Sequence, residues 1–312
     1  MTGIVLPSDP APDGYVPNPY TAEIDAALAY LHTEKDSEDG WELIDTKDGI
    51  VMEKKFVPGD NSAIPIVRGR GLVKSISPAM LLSTIRQPSA RSHWDSRFAS
   101  GGILERYGRR TYKFYSVQKG LSFLVSERDI VGVQHIVCPQ GEVEKGFEVV
   151  QTSVLGDSDN PGRVRATLTC AGWSVVPRGP DLEVSYVIKI NPNGSIPSGI
   201  AAKLVQDIPM SIVNIAGFIR SSGWPPYISS SSISSQLRTE TFSLENRSHK
   251  IKFIAGSQEE EITVAVDPKP FGGDWKVEVF GNGVSVEKKD NNTAVIFVSA
   301  GSGKFELNIV AA

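Results

Sequence analysis

From Ser198 to about Ile219 a large aliphatic residue returns every three or four positions: Ile200, Leu204, Ile208, Ile212, Ile215 and Ile219. That spacing predicts one apolar face on one α-helix. Ahead of it, Asn191-Pro-Asn-Gly-Ser-Ile-Pro197 offers a turn at Asn193-Gly194 and a proline suited to a first helical turn. At 1.5 Å per residue the helix would run roughly 33 Å, enough to cross a domain. The segments before it alternate like strands, so its apolar face has one economical use, lying across the concave side of a sheet. Pro209 falls inside it, removing a hydrogen bond and crowding the carbonyl of Val205. A kink there either lets Met210–Ile219 bend as a lid or only curves the helix round the sheet.

Taken in order, residues 1–20 hold five prolines and read as an irregular arm. Thr21–Leu31 is an amphipathic helix with Thr21 as its cap. Trp41–Asp45 and Ile50–Phe56 form a hairpin through Lys47-Asp48-Gly49, and Ile66–Val73 continues the sheet. Pro78–Ile85 and Ala90–Trp94 read as short helices. Strands resume at Ile103–Tyr107, Arg110–Val117, Arg128–Cys138, Phe147–Ser153, Val164–Val176 and Leu182–Ile190, with connections short enough for an antiparallel meander. Residues 223–240, with Pro225-Pro226 and a serine run, predict a flexible linker. From Thr241 to the end, short alternating strands separated by Gly272-Gly273, Gly281-Asn-Gly283, Asp290-Asn-Asn292 and Gly301-Ser-Gly303 predict a small β-sandwich.

With 312 residues, 40% of them hydrophobic, the chain can bury two cores. A net charge of −4 argues against a nucleic-acid partner. The two cysteines, Cys138 and Cys170, lie in apparent strands and suit a reducing, cytoplasmic setting. The first twenty residues lack the basic start and apolar run of a signal peptide, and no stretch approaches 18 apolar residues. Catalytic signals are poor. No G-x-S-x-G, P-loop or HExxH occurs, and His32, His93, His135 and His249 are scattered through different elements. Glu259-Glu-Glu261 reads as a solvated turn, and neither a metal site nor a cofactor is expected.

Five short motifs occur in order: Arg68-Gly-Arg-Gly71, Trp94-Asp95, Ser126-Glu-Arg-Asp129, Val164-Arg-Ala166 and Asn191–Pro197. Together they make residues 20–222 resemble a START (StAR-related lipid-transfer) domain. The resemblance implies an α+β helix-grip fold, a curved antiparallel sheet around a long C-terminal helix with one lipid between them. It does not extend past Thr241. It also matches Leu121-Ser-Phe-Leu-Val125 to a loop that closes the tunnel mouth. There Leu121, Phe123 and Leu124 either dip into a membrane surface or pack down as core.

Alternation puts Tyr112, Phe114 and Ser116 on one face, and Ile130, Gly132, Gln134 and Ile136 on one face of the next strand. Counted from the motifs, these faces match the tunnel lining, completed by Leu204, Ile208 and Ile212. Sterol-binding members of the family often place a buried Glu–Arg pair where this chain has Ser116 and Gln134, so the sterol assignment does not carry over. With no cation assigned to the lining (Arg68, Arg70 and Arg165 being the nearest), a lipid with a small neutral polar group is expected over an anionic phospholipid. Trp94 is expected to pack, Asp95 to cap a turn, and Arg128 and Asp129 to form an architectural ion pair. The functional expectation is a non-enzymatic protein that binds one weakly polar lipid, touches membranes transiently, and uses its C-terminal unit for a protein partner. A cyclase-like helix-grip enzyme and a ligand-sensing interaction module are the alternatives.

Overall fold

In the computed structural model, which describes residues 14–60, 62–120, 125–155, 162–230 and 232–312, alternation builds one large sheet. Its strands are β1 (Trp41–Lys47), β2 (Ile50–Lys55), β3 (Ile66–Val73), β4 (Phe98–Arg106), β5 (Thr111–Gln118), β6 (Arg128–Val137), β7 (Phe147–Ser153), β8 (Val164–Arg165), β9 (Thr167–Arg178) and β10 (Asp181–Asn191). Across the sheet they run β1-β2-β3-β10-β9-β7-β6-β5-β4, with β8 beside β6. The meander expected from β4 to β10 is present, β4-β5-β6-β7-β9-β10 in order. The last strand pairs with β3, because α2 (Pro78–Ile85) and α3 (Pro88–Arg91) carry the chain from β3 to the far edge, where β4 begins. The two-residue strand β8 pairs parallel with β6, and the other pairings are antiparallel.

Each face of the sheet buries a different set of helices. On one side lies α1 (Thr21–Asp36), whose Ile24, Ala27, Leu28 and Leu31 meet Ile66, Val131, Val133, Val150, Cys170 and Val187. Thr21 is the first helical residue rather than the cap, which is Tyr20, and no side chain caps this end. At the other end the Arg68 guanidinium donates to the carbonyls of Glu34 (2.7 Å), Lys35 (3.2 Å) and Ser37 (2.7 Å), satisfying groups a helix C-terminus leaves open. Arg68 Nε donates to Glu53 at 2.9 Å, so this cation faces α1 and is committed there.

On the opposite face sit α2, α3, α4 (Ser198–Asp207) and α5 (Ser211–Ser222). The one long helix is thus two. Pro209 has no N–H, and the chain closes tight turns around it, Ser211 N to Ile208 O at 3.1 Å and Ile212 N to Pro209 O at 3.3 Å. The halves are held unequally. Buried residues on α5 are Ser211, Ile212, Ile215, Ala216, Phe218 and Ile219, whereas α4 buries Ala201 and Val205. At about 1.5–3 kcal/mol per buried large aliphatic side chain, α5 is anchored and α4 is not. Of the two readings of Pro209, the burial of α5 weighs against Met210–Ile219 bending as a lid.

The C-terminal unit contains β11 (Tyr227–Ile228), β12 (Gln236–Ser243), β13 (Ser248–Ile254), β14 (Glu260–Ala265), β15 (Trp275–Phe280), β16 (Val284–Lys288), β17 (Thr293–Val298) and β18 (Lys304–Ala311). They form two four-stranded sheets, β11-β14-β17-β16 and β12-β13-β18-β15, around one core that includes Phe253, Ile262, Trp275, Ile296 and Leu307. The linker expected over 223–240 is corrected here, since β11 and the first half of β12 lie within it. A bulge between Leu237 and Thr239 breaks the alternation of β12, so its buried residues are Leu237, Glu240 and Phe242.

Candidate functional site

Between the sheet and α4 lies a cavity of about 90 Å³, walled by Phe114, Ser116, Ile130, Leu168, Tyr186, Ile188, Leu204 and Ile208 among others. A second, of about 30 Å³, adjoins it through shared walls at Arg91, Phe114, Ser116, Gln151 and Tyr186. Tyr112, Gln134, Trp94 and Trp173 complete that smaller space. The strand register explains the grouping. Tyr112 pairs with Gln134 and Phe114 with Gly132 across β5 and β6, so these residues share the inner face.

Six of the eight residues expected in the lining therefore border these two cavities: Tyr112, Phe114, Ser116, Gln134, Leu204 and Ile208. Gly132 sits beneath the Phe114 ring, which would lie 2.9 Å from any Cβ placed there, so glycine is what lets the ring lie flat on the strand. Ile212 is corrected to core. It is fully buried and packs on β3 at Gly69. Leu121, Phe123 and Leu124 lie outside the described residues.

The polar end of the cavity is a hydrogen-bonded row. Gln151 Nε2 donates to Gln134 Oε1 at 2.6 Å, Gln134 Nε2 donates to the Tyr112 hydroxyl, and that hydroxyl donates to the Arg86 carbonyl at 2.8 Å. Burial pushes the Tyr112 pKa up, keeping the hydroxyl a donor. Gln118 Nε2 donates to Ser116 Oγ at 2.9 Å. Gln151 was not read from the sequence, although it lies directly opposite Gln134 in the register of β6 and β7.

Cations also reach the wall, where none was expected: Arg91, Arg97, Lys119 and Arg128. Arg91 (2.9 Å) and Arg97 (2.8 Å) share one carboxylate, Asp95, and Arg97 also donates to Ser211 Oγ at 2.9 Å. Burial would raise the Asp95 carboxyl, but Arg97 and Arg91 outweigh it and hold the pKa at about 2. One carboxylate between two guanidiniums leaves a net positive charge at this wall. Asp95 is thus the keystone of an ion cluster and not merely a cap. Trp94 packs edge-on against Trp173 with centroids 6.4 Å apart.

The expected Arg128–Asp129 pair does not form, because consecutive strand residues point to opposite faces. Arg128 turns inward and donates to the carbonyls of Ser126 (2.6 Å), Pro192 (3.4 Å), Asn193 (3.3 Å) and Ser195 (3.3 Å), fastening the turn that leads into α4. Asp129 turns outward and takes a bidentate bond from Arg165 at 2.9 and 3.0 Å. Arg70 bonds Glu38 at 2.6 Å, so Arg68, Arg70 and Arg165 all serve the outer side of the sheet.

A cavity of about 280 Å³ opens where the two units meet, bordered by Arg86, Arg110, Tyr227 and Leu237, and none of the expected lining residues reaches it. Among the described residues no group of His, Cys, Asp and Glu side chains could hold a metal ion, and no helix is long and apolar enough to cross a membrane.

A sheet gripping two C-terminal helices over an apolar cavity defines a helix-grip protein. The START domain profile matches residues 23–215, and the chain belongs to the START domain family. Human StAR-related lipid transfer protein 5 superposes with a TM-score of 0.56 at 14% identity, over 64% of this chain and 98% of that one. Human STARD10 gives 0.53 at 16% identity, over 65% of this chain and 79% of its own. A STAR-related lipid transfer protein fragment from Xanthomonas axonopodis gives 0.50 at 23% identity, over 59% of this chain and all of that one. No curated protein matches the chain. The family supports lipid binding or transfer in general terms.

Proposed function

We propose that the chain binds a single lipid between α4 and the sheet and carries or senses it without chemical conversion. The observation that carries this reading is an apolar cavity with one polar end, its amides on Gln134 and Gln151 and its cations on Arg91 and Arg97. Lipid-sized ligands need a few hundred Å³, so α4 must lift from the sheet to admit one. Its light burial makes that the cheap motion, and the turn at Pro209 supplies the hinge. The expectation of a purely neutral lining does not survive Arg91 and Arg97. The head that fits is one rich in hydrogen-bond acceptors, a phosphodiester or a cluster of hydroxyl and carbonyl oxygens. A cyclase-like reading needs a free acid or base at the cavity, and Asp95, bound by two arginines, is neither. Contact with a membrane surface through the 119–127 loop, and action in the cytoplasm, belong to the same proposal.

Native mass spectrometry of the full chain after incubation with mixed phosphatidylcholine–cholesterol liposomes tests it. One lipid mass per chain is expected. A protein that emerges with no adduct, and that takes up neither NBD-labelled phosphatidylcholine nor a fluorescent sterol, would sink the proposal.

A further inference from the structure

The polar row at the cavity does not stop at the START domain. Arg106, Tyr112, Gln134 and Gln151 are successive cross-strand partners on β4, β5, β6 and β7. At the cavity end Gln151 is half-buried, while Gln134 and Tyr112 are fully buried. At the other end the row meets the C-terminal unit at Glu240 of β12, with the Tyr227 ring 5.6 Å from the Arg86 guanidinium beside it. The Glu240 carboxylate takes a bidentate bond from Arg86 at 2.7 and 2.6 Å and a longer one from Arg106 at 3.4 Å. Tyr112 bears on both arginines. Its hydroxyl holds the Arg86 carbonyl, and its ring lies 5.3 Å from the Arg106 guanidinium. Arg86 is the last residue of the α2 cap, so a shift of Tyr112 moves the peptide from which that guanidinium hangs.

The donors in this row are committed in one direction. The amide bonds of Gln151 and Gln134 run toward Tyr112, and the Tyr112 hydroxyl runs to Arg86. Each of these amides keeps a second N–H, and a ligand oxygen that takes it pulls the same nitrogen toward the cavity, against its bond in the row. Beyond Tyr112 the junction has little slack. Nε of Arg86, and Nε and Nη1 of Arg106, are buried without hydrogen-bond partners, so Glu240 and the rings of Tyr112 and Tyr227 compensate them. In a low-dielectric seam, the loss of any one is felt strongly.

We infer that the C-terminal β unit reads the occupancy of the cavity through Gln151, Gln134, Tyr112 and Arg86, a bound lipid loosening the grip of this row on Glu240. The role of the β unit would then be output, exposing its seam face when a ligand is present. Because affinities are reciprocal, the state of Glu240 also tunes how tightly the cavity holds its lipid. The inference rests on the proposed lipid cavity for its ligand, though the wiring can be tested without one.

Hydrogen exchange of residues 236–254 in the full, ligand-free chain provides that test. Gln134→Leu and Tyr112→Phe are each expected to speed exchange there by about tenfold, the equivalent of one buried hydrogen bond. Ser116→Ala, which alters the same cavity outside the row, leaves it unchanged. The double variant Tyr112→Phe with Gln134→Leu exchanges no faster than Tyr112→Phe alone. Should Tyr112→Phe prove unstable, Gln151→Leu at the half-buried end gives the same reading. Wild-type exchange in both single variants, or effects that simply multiply in the double, overturns the inference. In a second arm, saturating NBD-labelled phosphatidylcholine is expected to speed exchange in 236–254 of the wild type. Binding without that change also overturns it. Failure of the probe to bind counts against the lipid reading alone, and the ligand-free variants still decide the wiring.

Discussion

Replacing Glu240 by glutamine keeps shape and removes one charge from the seam. The side chains of Arg86, Arg106, His249 and Glu240 are 8%, 3%, 0% and 2% exposed, so the charge is withdrawn from a place water barely reaches. Two guanidiniums would remain, with no carboxylate bonded to either among the described residues. Removing one partner of such a buried pair costs about 3–5 kcal/mol, whereas an exposed pair is worth under about 1 kcal/mol. Glu306→Gln, which loses exposed partners Lys250 and Lys252 at 3.3 and 3.4 Å, is the matched control. Urea unfolding of the full chain should therefore show a large loss for Glu240→Gln and almost none for Glu306→Gln. The sign with pH follows from the groups themselves. Burial pushes the Glu240 pKa up, but Arg86, His249 at 3.8 Å and Arg106 carry it well below the ordinary 4.5. Its contribution is thus complete above pH 4.5 and shrinks as pH falls, so the penalty of Glu240→Gln should shrink below pH 4.5 as well. Equal, small losses in both variants would show that water enters the seam and that the ion cluster holds nothing together.

Further outcomes follow from other parts of the fold. Asp95→Asn should cost about 3–5 kcal/mol, because Arg91 and Arg97 lose their shared carboxylate. In the wild type that stability is present above the unfolded value of 3.8 and is lost as pH falls toward about 2, which acid titration of Tm would reveal. Burial lowers the His249 pKa from 6.5, so stability should begin to fall below pH 6.5, and His249→Gln should flatten that limb of the profile. Leu204→Trp places bulk in the 90 Å³ cavity from the lightly held helix, and should abolish NBD-lipid uptake with little change in urea midpoint. Phe123→Asp should slow lipid exchange between liposomes, measured by fluorescence dequenching, and leave the melting temperature nearly unaltered.

Strand alternation grouped Tyr112, Phe114 and Ser116 on β5 and put Gln134 with its neighbours on β6 by a period of two, and the START resemblance said which face points inward. The same rule, applied to Arg128 and Asp129, would have shown that neighbours in sequence cannot share a face. What hid Glu240 is different in kind. A glutamate in a polar octapeptide reads as solvated, and its burial depends on Arg86 and Arg106, whose nearness comes only from the packing of two units. Arg91 and Arg97 escaped for a related reason. They reach the cavity because α3 and the start of β4 fold round Asp95, a geometry that spacing alone does not encode. The split of the last helix was half legible, in that Pro209 marked the break but the unequal burial of α4 and α5 did not show.

The pairing of β3 with β10, Val67 opposite Ile188 and Val73 opposite Leu182, fixes when the domain can exist at all. As the chain leaves the ribosome, β1 to β3 emerge early and form a three-stranded piece with one open, apolar border. Nothing made afterwards closes that border until β10 has been synthesised, by which time most of the sheet is already growing from the other side. Pairing between such distant segments is slow, and an open border invites joining to another chain. Fragments ending before Asp181 should for that reason aggregate rather than fold.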